Sequence, residues 1–191
     1  MAGKSGVGKD TVFRRLIYDP SLGLRGVVPY TTRPKRGGET EGREYHFISE
    51  QTLRDLEKQG KVIELRRYHT VHGVWCYCTV DDGQIDLKTG NYLLIATPEE
   101  IHNLRRAFGE AVVPIYIEVE DGERLTRAMR RERRSGRPDY AEMCRRYLAD
   151  EEDFSPDRLA ACGIERSFAN GDLEQCVREI REEILRRTAH P

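Results

Sequence analysis

Apolar residues follow two rhythms along this chain, and the change comes near Gly90. Beyond it, Tyr92-Leu93-Leu94-Ile95-Ala96 and Val112-Val113-Pro114-Ile115-Tyr116-Ile117 are continuous apolar runs, the mark of strands buried on both sides. Between them Ile101, Leu104 and Phe108 recur at helical spacing, which predicts a helix from Pro98 to Phe108. Strand, helix, strand in that order argues for a parallel sheet with helices on both faces. Before Gly90 the segments Val62 to Tyr68 and His72 to Thr79 alternate instead. They predict an antiparallel pair, joined by a tight turn and covered on one face.

Capping and breaking residues fill in the rest. A helix is expected from Lys9 to about Asp19, closed by Asp19-Pro20. Gly26 to Tyr30 reads as a short strand, Thr31 to Glu44 as a polar loop, and Tyr45 to Ile48 as extended. Ser49 caps a helix through about Gln59, with Gly60 as its stop. Val80 to Gly83 leads into another short helix. Arg- and Glu-rich helices with few apolar positions are predicted from Gly122 to Arg134 and from Asp139 to Asp153. A strand near Ile164 to Phe168 and an amphipathic helix bearing Leu173, Val177, Ile180 and Ile184 end the chain.

Composition narrows the class. A chain of 191 residues forms one domain with lobes and buries a sizeable core. The net charge of −1 hides arginines clustered between Arg124 and Arg146. Without interleaved aromatics, that run argues against a nucleic-acid partner. No stretch approaches the ~20 apolar residues of a membrane helix, and no secretory leader is read. The five cysteines form no C-x-x-C pair and no Cys/His ligand spacing. The expectation is a reduced, cytoplasmic protein without zinc or disulfides, with Cys76 and Cys78 as packing residues on one strand face.

Candidate chemistry begins at Gly3-Lys4-Ser5-Gly6-Val7-Gly8-Lys9, which has the spacing G-x-x-x-x-G-K that wraps a di- or triphosphate in backbone N–H groups. Lys9 reaches the outer phosphates, and the following helix adds its N-terminal dipole. The position after the lysine usually carries a Ser or Thr ligand of Mg²⁺. Here it is Asp10, with Thr11 one step later. A carboxylate suits Mg²⁺ but repels phosphate unless the metal lies between, so Asp10 either contacts the metal or caps the helix; metal contact is favoured. A phosphate loop normally follows a buried parallel strand, and only Met1 and Ala2 precede Gly3. The first core strand is therefore expected to be missing, leaving an edge open to strand addition and a homodimer.

Two blocks together resemble the guanylate kinases, a family of P-loop nucleoside monophosphate kinases. Gly3 to Thr11 is similar to the family's G-P-S-G-V-G-K-S-T, with Lys4 and Asp10 as departures. Thr31-Thr32-Arg33-Pro34-Lys35-Arg36-Gly37-Gly38-Glu39, then Gly42-Arg43-Glu44-Tyr45-His46-Phe47, resembles T-T-R-x-x-R-x-G-E…G-x-x-Y-x-F. The resemblance covers essentially the whole chain. It implies a three-layer α/β P-loop kinase fold with a parallel-sheet core at 1–29, 86–124 and 156–191. A small β-rich lobe for a nucleoside monophosphate would span 30–85, and an Arg-rich helical lid 125–155.

The implied reaction moves the γ-phosphoryl of ATP, with Mg²⁺, to GMP or dGMP, so the implied partners are small-molecule nucleotides. Arg33 and Arg36 have forks that match phosphate oxygens, and with Tyr45 and Tyr77 they would hold the acceptor phosphate. Glu64 would accept from guanine N1–H and the 2-amino group, and Thr79 would touch the base; read alone, the two are at even odds exposed strand residues. Arg130, Arg131, Arg133, Arg134, Arg137, Arg145 and Arg146 resemble the lid. Arg146 aligns with its second arginine, and the first is open between Arg134 and Arg137. Candidate catalytic residues are thus Lys9, Arg33, Arg36, Arg134, Arg137 and Arg146. Asn170 resembles the asparagine of a late N-D-x-L turn that borders adenine. Pro29 stands where the family has Ser, and Ile95-Ala96-Thr97 where it has D-x-D. These departures weigh on guanine more than on kinase chemistry. They keep open another acceptor such as ribose 1,5-bisphosphate, and fold analogy keeps open a non-catalytic phosphopeptide-binding module.

Overall fold

The computed structural model describes residues 1–70, 73–136 and 138–188. In chain order, α1 (Lys9–Ile17) is followed by β1 (Leu24–Gly26), β2 (Tyr30–Thr31), β3 (His46–Phe47) and α2 (Glu50–Lys58). Next come β4 (Val62–Thr70), β5 (Gly73–Val80), β6 (Asn91–Leu93), α3 (Pro98–Phe108) and β7 (Tyr116–Glu118). The last third holds α4 (Asp121–Arg133), α5 (Tyr140–Asp153), α6 (Pro156–Ala161), β8 (Ser167–Ala169) and α7 (Leu173–Thr188).

The core sheet is parallel: β1 pairs with β6, and β7 with β8. Met1 and Ala2 stitch the two pairs together. The Met1 ammonium donates to Leu94 O at 2.7 Å and Ala96 N–H to Met1 O at 2.9 Å. On the other side Ala2 N–H donates to Ile115 O, and Ile117 N–H to Ala2 O, both at 2.8 Å. Neighbouring residues on these strands point to opposite faces. Met1 and Ile117 join Val12 and Leu16 of α1 and Ile180 and Ile184 of α7. Ala2 and Tyr116 join Ile101 of α3, Phe154 and Cys162. Helices therefore cover both faces, as the apolar runs predict. A second sheet, in the order β3-β2-β5-β4, is built from the segment between the first two parallel strands. Its β4–β5 pair is antiparallel, with Leu53 of α2 packed on Cys76 and Cys78.

Several expectations need correction. The strand predicted from Gly26 to Tyr30 is two strands in different sheets, split at Val27–Pro29, where Pro29 has no N–H to give a ladder. The apolar runs at 92–96 and 112–117 are strand only at Asn91–Leu93 and Tyr116–Glu118, because toward Leu94–Ala96 and Ile115 the partner is only the two residues Met1 and Ala2. At the expected first-strand position stand Met1 and Ala2. Beyond them a cavity of about 400 Å³ lies between Asn91–Leu94 and Val112–Ile115, lined by Leu24, Leu104 and Ile184 among others. The helix expected after Gly83 is instead a series of turns, held by Asp82 and Asp86 carboxylates on the Gln84 and Lys88 N–H groups. Helix α6 was not predicted, although Ser155-Pro156 is a start signal. Among the described residues no helix is long and apolar enough to cross a membrane.

Candidate active site

The phosphate loop hangs from the centre of the sheet. Gly8 ends it at φ +86°, where an added Cβ would stand 2.7 Å from Asn170 Nδ2. Asn170, after β8, is buried and its Nδ2 donates to Val7 O at 2.7 Å, so its amide supports the loop from below. Lys9 opens α1. Burial lowers its pKa, Asp10 and Asp150 oppose that shift, and Arg131 of α4 adds to it. The helix is capped by Gly8 without a side-chain bond. The capping alternative for Asp10 is therefore not realised: its exposed carboxylate has no hydrogen bond or ion pair among the described residues. Thr11 is also exposed. Lys4 and Ser5 turn to α5 instead. Lys4 Nζ meets Glu151 at 2.7 Å, and Ser5 N–H donates to Asp150 Oδ2 at 2.7 Å.

Across the cleft, Arg33 is nearly buried. Its fork is held by Glu39 at 2.7 and 3.1 Å, and its Nε donates to Tyr77 Oη at 3.2 Å. Tyr45 stands edge-on to Tyr77 at 5.6 Å, and the Arg33 guanidinium lies 5.5 Å from the Tyr45 ring centre. Burial raises the Tyr45 pKa. Arg33, Tyr45 and Tyr77 are thus brought together. Arg36 is exposed, and its charge is felt by Glu142 on α5.

Glu64 and Thr79 are both buried rather than exposed strand residues. Thr79 Oγ1 donates to Glu64 Oε1 at 3.1 Å. Arg66, two residues along β4 and so on the same face, gives Nε to Glu64 Oε2 at 3.0 Å and Nη2 to Oε1 at 3.3 Å. Its Nη1 meets Glu100 of α3 at 3.0 Å. Burial pushes the Glu100 carboxyl up to about 7, and Arg66 pulls against it. Arg66 and Glu100 were missed from the sequence. The strand period pointed to Arg66, and Thr97-x-x-Glu100 is a capping box, which also accounts for Thr97.

Arg146 lies on α5, half-exposed, with Glu142 at 3.3 Å. Arg134 ends α4 and is exposed. Arg137 lies outside the described residues. Of the arginine run, it is Arg131 whose charge reaches Lys9. The arginine that sequence reading overlooked is Arg124: it is fully buried, bonded to Asp121, Asp150 and Glu151, and stacked on Tyr147 at 3.7 Å.

The family model for guanylate kinase matches residues 1–182. The chain belongs to the guanylate kinase family. A curated guanylate kinase of Porphyromonas gingivalis is 26% identical over 186 residues, covering 96% of this chain and 94% of the relative. That of Oleidesulfovibrio alaskensis is 29% identical over 192 residues, covering 100% and 87%. A chloroplastic/mitochondrial guanylate kinase 2 of rice is 33% identical over 133 residues, 68% of this chain but 44% of the relative. For this and two other curated relatives, the matched stretch spans 41% to 52% of the relative's length. The crystal structure of guanylate kinase from Anaplasma phagocytophilum agrees in fold. Its TM-score is 0.62 at 22% identity, covering 97% of this chain and 84% of that one. Within the guanylate kinase family, then, this member carries Arg66 and Glu100 beside Glu64, and Asp150 on the loop.

Proposed function

We propose that this guanylate kinase family member transfers the γ-phosphoryl of ATP to GMP or dGMP, giving ADP and the nucleoside diphosphate. The observation that carries the reading is the pairing of two anion sites within one chain: the phosphate loop with Lys9, and the Arg33–Tyr45–Tyr77 group. The four-stranded sheet segment acts as the acceptor lobe and α4–α5 as the lid. Lys9, whose charge Asp10 and Asp150 favour against its burial, holds the outer phosphates of ATP. Arg33, fixed by Glu39, and Arg36 receive the acceptor phosphate with the two tyrosine hydroxyls. Glu64, oriented by Arg66 and Thr79, reads the guanine N1–H and 2-amino donors. Arg146, with Arg134 or Arg137, closes over the transferring group and excludes water that would hydrolyse ATP.

Among the described residues no group of three His, Cys, Asp or Glu gathers as a metal site. Mg²⁺ in kinase sites takes one or two carboxylates with phosphates and water, and the unpartnered Asp10 carboxylate beside Lys9 fits that need. When bound, Mg²⁺ offsets charge on the phosphate oxygens. A cytoplasmic setting agrees with the five unpaired cysteines. The test is ADP formation from MgATP with GMP, dGMP, AMP, UMP, CMP and ribose 1,5-bisphosphate, with Lys9→Ala as control. Turnover restricted to guanine nucleotides is expected. Turnover only with another acceptor replaces the substrate, and none at all overturns the kinase reading.

A further inference from the structure

Asp150 enters the reading above only through its charge near Lys9, and its bond to the phosphate loop is a separate observation. Ser5 N–H donates to Asp150 Oδ2 at 2.7 Å, and the same oxygen meets Arg124 Nη1 at 3.3 Å. Asp150 keeps 14% of its side-chain exposure and Arg124 none. Lys4 Nζ lies 2.7 Å from Glu151 and 3.9 Å from Asp121, so the loop reaches both helices of the Arg-rich segment. Gly6 completes the joint, since a Cβ there would stand 3.0 Å from Arg124 O. Loop, α4 and α5 are pinned around one buried guanidinium.

The pin lies at the C-terminal end of α5. Arg146 is four residues earlier, one turn along the same helix face. Its guanidinium has Glu142 as its partner at 3.3 Å and is 46% exposed. The root of the helix is thus fixed to the loop, while the arginine is held by one partly exposed ion pair.

We propose that Asp150 is a positioning residue: by holding the end of α5 on Ser5 N–H, it places Arg146 over the phosphate loop. The inference rests on the assignment of Arg146 to the lid. A carboxylate on a loop amide beside Lys9 would merely repel triphosphate if it stood alone. Arg124 offsets part of that charge, and what remains is felt by the Lys9 ammonium, so Asp150 can anchor the loop amide.

The experiment is a double-mutant cycle on the full chain: wild type, Asp150→Ala, Arg146→Ala and both, with kcat and KM for MgATP and GMP and thermal unfolding of each. Asp150→Ala is expected to lower kcat about 10-fold or more, with the KM for GMP nearly unchanged. In the Arg146→Ala background the same change is expected to cost less than about 2-fold, because its effect runs through the missing arginine. Asp150→Asn keeps an oxygen for Ser5 N–H and is expected to recover most of kcat, which a variant lost to misfolding would not do. Multiplying effects in the double variant would overturn the inference while leaving Arg146 in the lid. An Arg146→Ala variant with unchanged kcat would remove the lid assignment and the inference with it.

Discussion

Replacing Arg66 by Met tests the electrostatic reading of the buried Glu64–Arg66–Glu100 group. The guanidinium makes three contacts of 3.0 to 3.3 Å, two to Glu64 and one to Glu100. The side chains of Arg66, Glu64 and Glu100 are 8%, 0% and 3% exposed, so solvent screens the group little. Without Arg66 two carboxylates face each other in a dry site, since Glu64 already pushes the Glu100 pKa upward. Breaking such a buried set by removing one partner costs about 3–5 kcal/mol. For a chain of this size that lowers Tm by about 6–20 °C. Glu100 can take up a proton, which keeps the cost finite. The pair Arg66→Met with Glu100→Gln is therefore expected to cost less than Arg66→Met alone. Urea unfolding followed by circular dichroism at pH 7.5 gives both values. A loss below about 1 kcal/mol for the single variant, the worth of an exposed pair, would refute the buried-triad argument.

Three further outcomes are expected. Between pH 4.5 and 6 the folded chain keeps a proton on Glu100 that the unfolded chain releases, since its folded pKa of about 7 lies above the ordinary 4.5. Its contribution to stability therefore falls as pH rises through that window, by up to about 1.4 kcal/mol per unit. Urea unfolding across the window should show Glu100→Gln flattening this slope. Asn170→Ala removes the 2.7 Å bond to Val7 O; it is expected to cost about 1–3 kcal/mol and raise the KM for MgATP, measured by unfolding and initial rates. Gly8→Ala sets a Cβ 2.7 Å from Asn170 Nδ2 at φ +86°, so calorimetric titration is expected to find MgATP affinity reduced at least about 10-fold.

What could be read in advance was what is encoded locally. α3 matches its predicted bounds, because Thr97, Pro98 and Glu100 mark its start and the apolar period its length. Ser49 and Gly60 likewise frame α2. The loop spacing and the arginine block are short motifs, legible without the fold. Strand ends were not legible. The run 92–96 is apolar throughout, yet only three of its neighbourhood's residues, Asn91–Leu93, have a strand partner. The partner of Arg66 was hidden for the same reason: Glu100 arrives from another element, and no local spacing links the two. Arg124 stands at the edge of the arginine cluster and Asp150 at the start of an acidic stretch, and only packing separates them from their exposed neighbours.

The phosphate loop is made early and finished late. Its first bonds run from Met1 to Leu94, its side support from Ser5 to Asp150, and its floor from Val7 to Asn170, separations of 93, 145 and 163 residues. Contacts so distant in sequence close slowly, because the chain between them must first give up its freedom. During synthesis the loop residues emerge before Asp150 and Asn170, and wait for both before their contacts are complete. A ribosome-bound nascent chain ending before Asn170 would hold the motif in full and still lack the floor that shapes it.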